Sequence, residues 1–269
     1  MASLKTRPLV SICIPCYNQR RFLPSLFGSL IGQTYYNLQI IFLDDHRQDG
    51  SWEASQEYRK RLEARFPRVH MERNATNLGA LKNLEKSFSM ITGDYASYLE
   101  SDDYYTASKV ERNLEFLELN PSFGAVHSDF YALKEDLTVI PSFNKSFFTG
   151  STGPVPSGWI FDRLLQENVV CAPSLMVKRE FFLRSFLFDL FHERDYRMGD
   201  YPALMLLSQM TQIGYIDEPL VVYRMLEVSM SHTPVPGEKL AIKKTIARVR
   251  RDARLGLLNP ANLEPSVVV

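Results

Sequence analysis

The stretch Tyr95–Tyr105, YASYLESDDYY, decides how the chain is read. It opens on an apolar, aromatic run (Tyr95, Ala96, Tyr98, Leu99) short enough for one buried strand, then ends in three acids, Glu100, Asp102 and Asp103. Like charges this close raise one another's pKa, so the acids stay ionised together only when a cation joins them. Oxygen ligands alone suit a hard divalent ion such as Mg2+ or Mn2+, which commonly carries phosphate. A solvated acidic turn that caps the next helix has the same local sequence, and on this stretch alone both readings stand.

Working outward, Leu9–Ile14 is β-branched and apolar, a buried strand that Pro15 is expected to end. Phe22, Leu23, Leu26, Phe27, Leu30 and Ile31 then recur at helical spacing. Leu38–Leu43 reads as a second buried strand ending in Asp44 and Asp45, followed by a helix over Ser51–Arg65. A short strand near Val69–Met71, a loop over Asn74–Gly79 and a helix over Ala80–Met90 lead back to the opening stretch. Strands alternating with helices of this length imply parallel strands and right-handed crossovers, an α/β architecture with a mostly parallel central sheet. Ligands of such sheets sit beyond the strands' carboxyl ends. There the chain places Tyr17 and Asn18, Asp44 and Asp45, the acid cluster, and Asn77, Gly79, Lys82 and Asn83. Acids and amides gathered on one rim favour a site, although Asp44 and Asp45 would also serve as a cap for the helix that follows.

Composition narrows the classes. With 269 residues and no low-complexity linker, one large domain is expected, and 45% hydrophobic residues suffice for a substantial core. Lys plus Arg and Asp plus Glu both number 31, so there is no overall bias toward nucleic acid. No apolar run is long enough to span a bilayer, and the first ten residues lack a secretory core. These features favour a cytoplasmic protein. Cys13 and Cys16 match a C-x-x-C spacing, but within a strand residues three apart face opposite ways, so buried thiols in a reducing compartment are expected.

Taken in order, VSICIPCYN, QTYYNLQIIFLDD, NATNLGALKN and GDYASYLESDDYY resemble glycosyltransferase family 2, enzymes of the GT-A fold. The resemblance is close over about the first 120 residues and looser from about Asp195 to His232. It implies a single catalytic domain over 1–258. A nucleotide-sugar half would cover about 1–120, an acceptor half 121–233 and a basic helix 236–255, with 259–269 a flexible tail. It also implies a nucleoside-diphosphate-sugar donor, a glycan or lipid-linked glycan acceptor, and Mn2+ or Mg2+ as cofactor. Tyr17 and Asp45 would contact the base and ribose, Asp44 would support the turn, Pro15 and Asn18 would belong to the nucleotide-sugar site, and Asn77, Gly79 and Lys82 would lie around the nucleotide pocket. Asp102 and Asp103 would belong to the metal-binding D-x-D signature, whose first acid is here Glu100. Asp200 would be the catalytic base, Arg224 would meet the diphosphate, and His232 would reach the metal. Family members of this type often build bacterial surface polysaccharides by an inverting displacement.

The chemistry suits the residue types. Cleaving the sugar–diphosphate bond builds negative charge on the leaving group, which a divalent ion offsets, and a base must take the acceptor's proton. Asp200 stands at a helix start, where an acid is also stabilised by the helix dipole, so a purely structural role stays open. Ser108 with Glu111 reads as a capping box before a helix. Strands are expected over Phe123–Leu133 and Ala172–Val177 and helices over Gly158–Glu167 and from Arg179. The Gly-, Ser- and Phe-rich stretch from Lys134 to Pro156 fits either a lid or a surface excursion. From Glu238 to Arg254, apolar and basic residues alternate as in an amphipathic helix; peripheral contact with the inner face of a membrane, packing on the body and a homodimer contact are all compatible. A nucleotidyltransferase would share fold and metal acids but needs a Gly-rich basic loop where Pro15–Asn18 stands; a non-catalytic sugar- or nucleotide-binding module would lack the base.

Overall fold

The computed structural model describes residues 7–46, 48–141, 155–227 and 236–263. The first half alternates as expected: β1 (Val10–Cys16), α1 (Leu23–Ile31), β2 (Leu38–Asp44), α2 (Ser51–Arg65), β3 (Arg68–Arg73), α3 (Ala80–Ser89) and β4 (Tyr95–Tyr98). After the acid cluster come β5 (Tyr104–Tyr105), α4 (Lys109–Leu119), β6 (Phe123–Lys134) and β7 (Val139–Ile140). The remainder carries α5 (Phe161–Gln166), β8 (Met176–Lys178), α6 (Arg179–Ser185), α7 (Phe188–Glu193), α8 (Asp200–Met210), β9 (Gln212–Met225) and α9 (Pro236–Arg254).

Among the described residues one sheet runs β3-β2-β1-β4-β8-β6-β9-β5, with β7 on β6. The block β3-β2-β1-β4 is wholly parallel; beyond it β8 and β5 pair antiparallel while β6 and β9 pair parallel. The chain lays β2 and β3 to one side of β1, then returns to place β4 on the other. That reversal leaves a crevice beyond the carboxyl ends of β1 and β4, where open α/β sheets take ligands.

Alternation along β1 divides the core. Val10, Ile12, Ile14 and Cys16 join α1, α2 and α4 on one face, whereas Cys13 joins α3, α6 and α8 on the other. Cys13 and Cys16 therefore lie on opposite sides of the sheet, and burial raises the pKa of both thiols, that of Cys16 to about 12. In α8 every side chain from Tyr201 to Ser208 is buried, so the apolar run after Asp200 belongs to the core.

Several local expectations are corrected. Pro15 does not end β1, which continues to Cys16 opposite Asp44. Leu99 N–H donates to Cys13 O, so by alternation the nitrogen of Pro15 faces the β4 side where that strand has already turned away. A proline is tolerated where no ladder bond is lost. Ser108 gives α4 no side-chain cap, and Glu111 instead accepts from Thr34 Oγ1 at 2.6 Å, tying α4 to the loop after α1. The segment Ala172–Val177 divides into a 3-10 turn at Ala172–Ser174 and β8, because Ser174 bonds back to Cys171 O. Gly158 stays outside α5, at φ +107 in an isolated bridge to Ile213. Residues 142–154 of the Phe-rich stretch and the 259–269 tail beyond 263 lie outside the described residues.

Gly93 lets the chain enter β4 pressed against β1: a Cβ there would stand 2.7 Å from Leu9 O and 2.8 Å from Ser11 N. Both are backbone atoms, one in β1 and one just before it, and cannot step aside. Gly93→Ala is expected to destabilise the fold by ~2 kcal/mol, read from urea unfolding; an unchanged midpoint would contradict this packing.

Candidate active site

A cleft of about 500 Å³ occupies the crevice beyond β1 and β4. Its floor on the β1 side is Pro15, Cys16 and the exposed Tyr17. Asp45, the first residue after β2, lines it too, but its carboxylate is already committed. Oδ1 accepts from Asn74 Nδ2 at 2.9 Å and Leu78 N at 2.8 Å, and Oδ2 accepts from Gly79 N at 2.9 Å. Asp45 thus latches the β3–α3 loop, which puts Asn77, Gly79 and Ala80 on the cleft wall. Gly79 holds φ +84, a left-handed conformation that favours glycine. Asp44 lies behind, fully buried with Arg73 Nε at 3.4 Å; burial raises its pKa and the Arg73 guanidinium opposes that rise.

Opposite stands the acid cluster. After β4 the chain turns tightly, Asp103 N donating to Glu100 O at 3.0 Å, and brings one ligand oxygen each of Glu100, Asp102 and Asp103 within 4.8 Å of one another. β9 runs beside β5, so Arg224 N donates to Asp103 Oδ1 at 2.7 Å, while the buried Oδ2 has no hydrogen-bond partner. The Arg224 guanidinium donates to Ser25 Oγ at 3.0 Å between the rings of Phe22 and Tyr104. Desolvation by the surrounding protein raises the pKa of all three acids. It lifts Glu100 to about 8, with Asp102 and Asp200 adding to the rise. Asp103 is driven well above the carboxylate range by burial and by its two neighbours, and Asp102 rises less because its own backbone N–H and Arg224 counteract burial. An orphaned carboxylate oxygen inside a crowded acidic cluster is a donor set that fits a hard divalent ion.

Asp200 begins α8 on the remaining wall, beside Arg197, Met198 and Gly199. Burial raises its pKa, offset in part by the backbone N–H groups of Tyr201 and of Asp200 itself. Gly199 is packing-bound, since a Cβ would meet Leu81 Cδ2 at 3.2 Å.

Of the residues singled out from sequence, Pro15, Tyr17, Asp45, Asn77, Gly79, Asp102, Arg224 and Asp200 all line the cleft, with Asp103 bound into its acid cluster. Asp44 lies behind the lining, and two more do not reach it. Asn18 is exposed at φ +60 outside the lining, and Lys82 faces a separate apolar pocket of about 320 Å³ behind α3 with Phe88, Phe182 and Phe186. The cleft-side polar residue of α3 is Asn83, bonded to Asn74 and to Leu43 O. The helical period separates the two: Asn83 shares a face with Ala80 and Leu84, Lys82 with Glu85 and Lys86. His232 lies outside the described residues. Arg197, Met198 and Ile242 of α9 line the cleft without having been expected; Ile242 sits 142 positions from Glu100 in a helix whose pattern speaks only of amphipathicity.

Comparison with known proteins bears on this geometry. The Glycosyl transferase family 2 model matches residues 11–157, more than half of the chain. The chain belongs to glycosyltransferase family 2. TuaG of Bacillus subtilis, provisionally named a teichuronic acid biosynthesis glycosyltransferase, is 26% identical over 174 residues, covering 65% of this chain and 64% of that protein. EpsJ of the same organism, an uncharacterized glycosyltransferase, is 26% identical over 84% of this chain and 64% of its own length. This chain thus spans less than two thirds of either relative. Among solved structures, S. aureus TarS 1–349 in complex with UDP-GlcNAc gives a TM-score of 0.57 at 14% identity, over 92% of this chain and 74% of that one. Mannosyltransferase PcManGT of Pyrobaculum calidifontis, in complex with GDP-Man and Mn2+, gives 0.61 at 14% identity over 97% and 77%. The fold is that of the GT-A glycosyltransferases.

Raised carboxyl pKa values have a sign that can be measured. A buried carboxyl such as Asp103, whose pKa rises well above its ordinary value on folding, adds stability at acidic pH that is lost as pH climbs through the raised value. Glu100, raised to about 8 but exposed to solvent, adds a smaller share in the same direction. The metal-free protein is therefore expected to melt a few degrees lower at pH 8.5 than at pH 5.5. Mn2+ should restore the difference, and Glu100→Gln should reduce it. Melting temperatures flat over that range, with no larger Mn2+ effect at the alkaline end, would contradict the crowding.

Proposed function

We propose that this family 2 protein is a divalent-metal-dependent, inverting glycosyltransferase. It moves a sugar from a nucleoside-diphosphate donor to an acceptor hydroxyl during bacterial surface-polysaccharide synthesis. The observation that carries the reading is that a three-carboxylate cluster and the half-buried Asp200 meet in one cleft at the sheet's reversal point. Names of relatives support the pathway class, and the ligands of the structural neighbours support the donor class.

Each residue then has a task. Tyr17, Asn77 and Gly79 border the base and ribose, and Asp45 acts on them through the loop it holds. Asp103, fixed through Oδ1 and with its Oδ2 left without a hydrogen-bond partner, would hold Mn2+ or Mg2+ together with Asp102 and Glu100. That ion, when bound, offsets negative charge on a diphosphate. Arg224 adds a fixed positive charge on the same side, positioned by Ser25 and two aromatic rings. Asp200 accepts the acceptor's hydroxyl proton, and its raised pKa strengthens it as a base. Attack from the Asp200 wall on the face away from the diphosphate inverts the anomeric centre.

Two substitutions test this reading. Asp200→Asn is expected to keep nucleoside-diphosphate affinity while lowering kcat about 10³-fold, within the range for a lost general base; near-normal turnover would remove Asp200 from the mechanism. Asp103→Asn keeps an acceptor for Arg224 N–H, yet should abolish the Mn2+-dependent part of UDP or GDP binding measured by calorimetry. Retained Mn2+-dependent affinity would contradict the ligand role.

A further inference from the structure

The chain as a whole is charge-balanced, but α9 is not. Its inward face, with Thr245, Val249, Asp252 and Ala253 buried, packs on α8 and α5. Tyr196 OH donates to Asp252 Oδ2 at 2.9 Å and Arg250 Nε donates to Tyr201 OH at 2.8 Å, so the helix is bolted to the body. On the opposite side Leu240, Lys243, Lys244, Ala247, Arg251, Arg254 and Leu255 are all exposed. Spacings of three and four place them in one stripe about 20 Å long. The stripe contains no acid, and it ends in large apolar side chains, Leu240 at 52% exposure and Leu255 at 65%. Ile242, on the inward side of the first turns, lines the cleft.

We propose that this outward face of α9 docks on an anionic membrane surface and holds the mouth of the cleft beside it. Charge decides against a second copy of the chain, because a two-fold pairing of this face would set cations against cations. The leucines decide against a soluble polyanion, which has no use for apolar anchors flanking the cations, whereas the headgroup–acyl boundary takes both. A helix is about 10 Å across, so docking places the cleft rim within about one helix diameter of the headgroups. That the acceptor is then presented at the membrane surface rests on the glycosyltransferase reading; the docking itself does not.

Flotation of the full chain with phosphatidylglycerol–phosphatidylcholine vesicles, without substrate, tests the docking independently of catalysis. The unaltered protein should float with these vesicles, not with phosphatidylcholine alone, and should be released by ~1 M salt. Lys243→Glu with Lys244→Glu should weaken partitioning at least ~25-fold, from about fivefold per cation, with an unchanged melting temperature because both side chains face solvent. Leu240→Ser with Leu255→Ser should also weaken it. Equal flotation of the original and charge-reversed proteins would overturn the proposal, as would capture by polyphosphate with no partitioning onto anionic vesicles.

Discussion

Three carboxyl groups packed within 4.8 Å of one another, at the end of a buried strand, form the constraint around which the molecule is arranged. Such crowding is unfavourable by itself, and it is sustained by elements far apart in sequence. β4 delivers the acids, and its turn closes on Glu100 O. β9 supplies the N–H that fixes Asp103, and its Arg224 side chain is held by Ser25 of α1. Crowding of this kind favours protonated acids, and a cation that displaced those protons would relieve it.

The opposite wall follows the same logic with different chemistry. Asp45 spends its oxygens on the Asn74 side chain and on loop amides, so it shapes this wall of the cleft through Leu78 and Gly79. Asn74 links it to Asn83, and Lys86 joins Asn74 to Glu72, extending one polar network from β2 through β3 to α3. Asp200, close enough to add to the rise at Glu100, sits on a different element, and backbone N–H groups at the start of α8 temper the rise that burial imposes on it.

Much of this was legible in the residues. Runs of β-branched and apolar side chains located β1, β2 and β4, and their polar carboxyl ends marked the rim, because in a parallel sheet those ends must gather on one side. What failed was whatever depends on partners distant in sequence. Pro15 was read as a terminator since its missing N–H matters only where a neighbouring strand needs it, and β4 does not reach that far. Glu111 suited a cap by spacing, but Thr34 offered a better partner. Lys82 was expected around the nucleotide from the resemblance, whereas helical geometry sends it to a different face from Asn83. Ile242 reaches the cleft only because α9 folds back over α8, a tertiary event without a local signature.

The most direct measurement is the number of protons released when Mn2+ binds the ligand-free protein at pH 7, obtained by calorimetry in buffers of different ionisation enthalpy. With Glu100 at a pKa of about 8, the account predicts release of about one proton or more, falling in Glu100→Gln. Mn2+ binding with no proton release, or no Mn2+ binding at all, would contradict it.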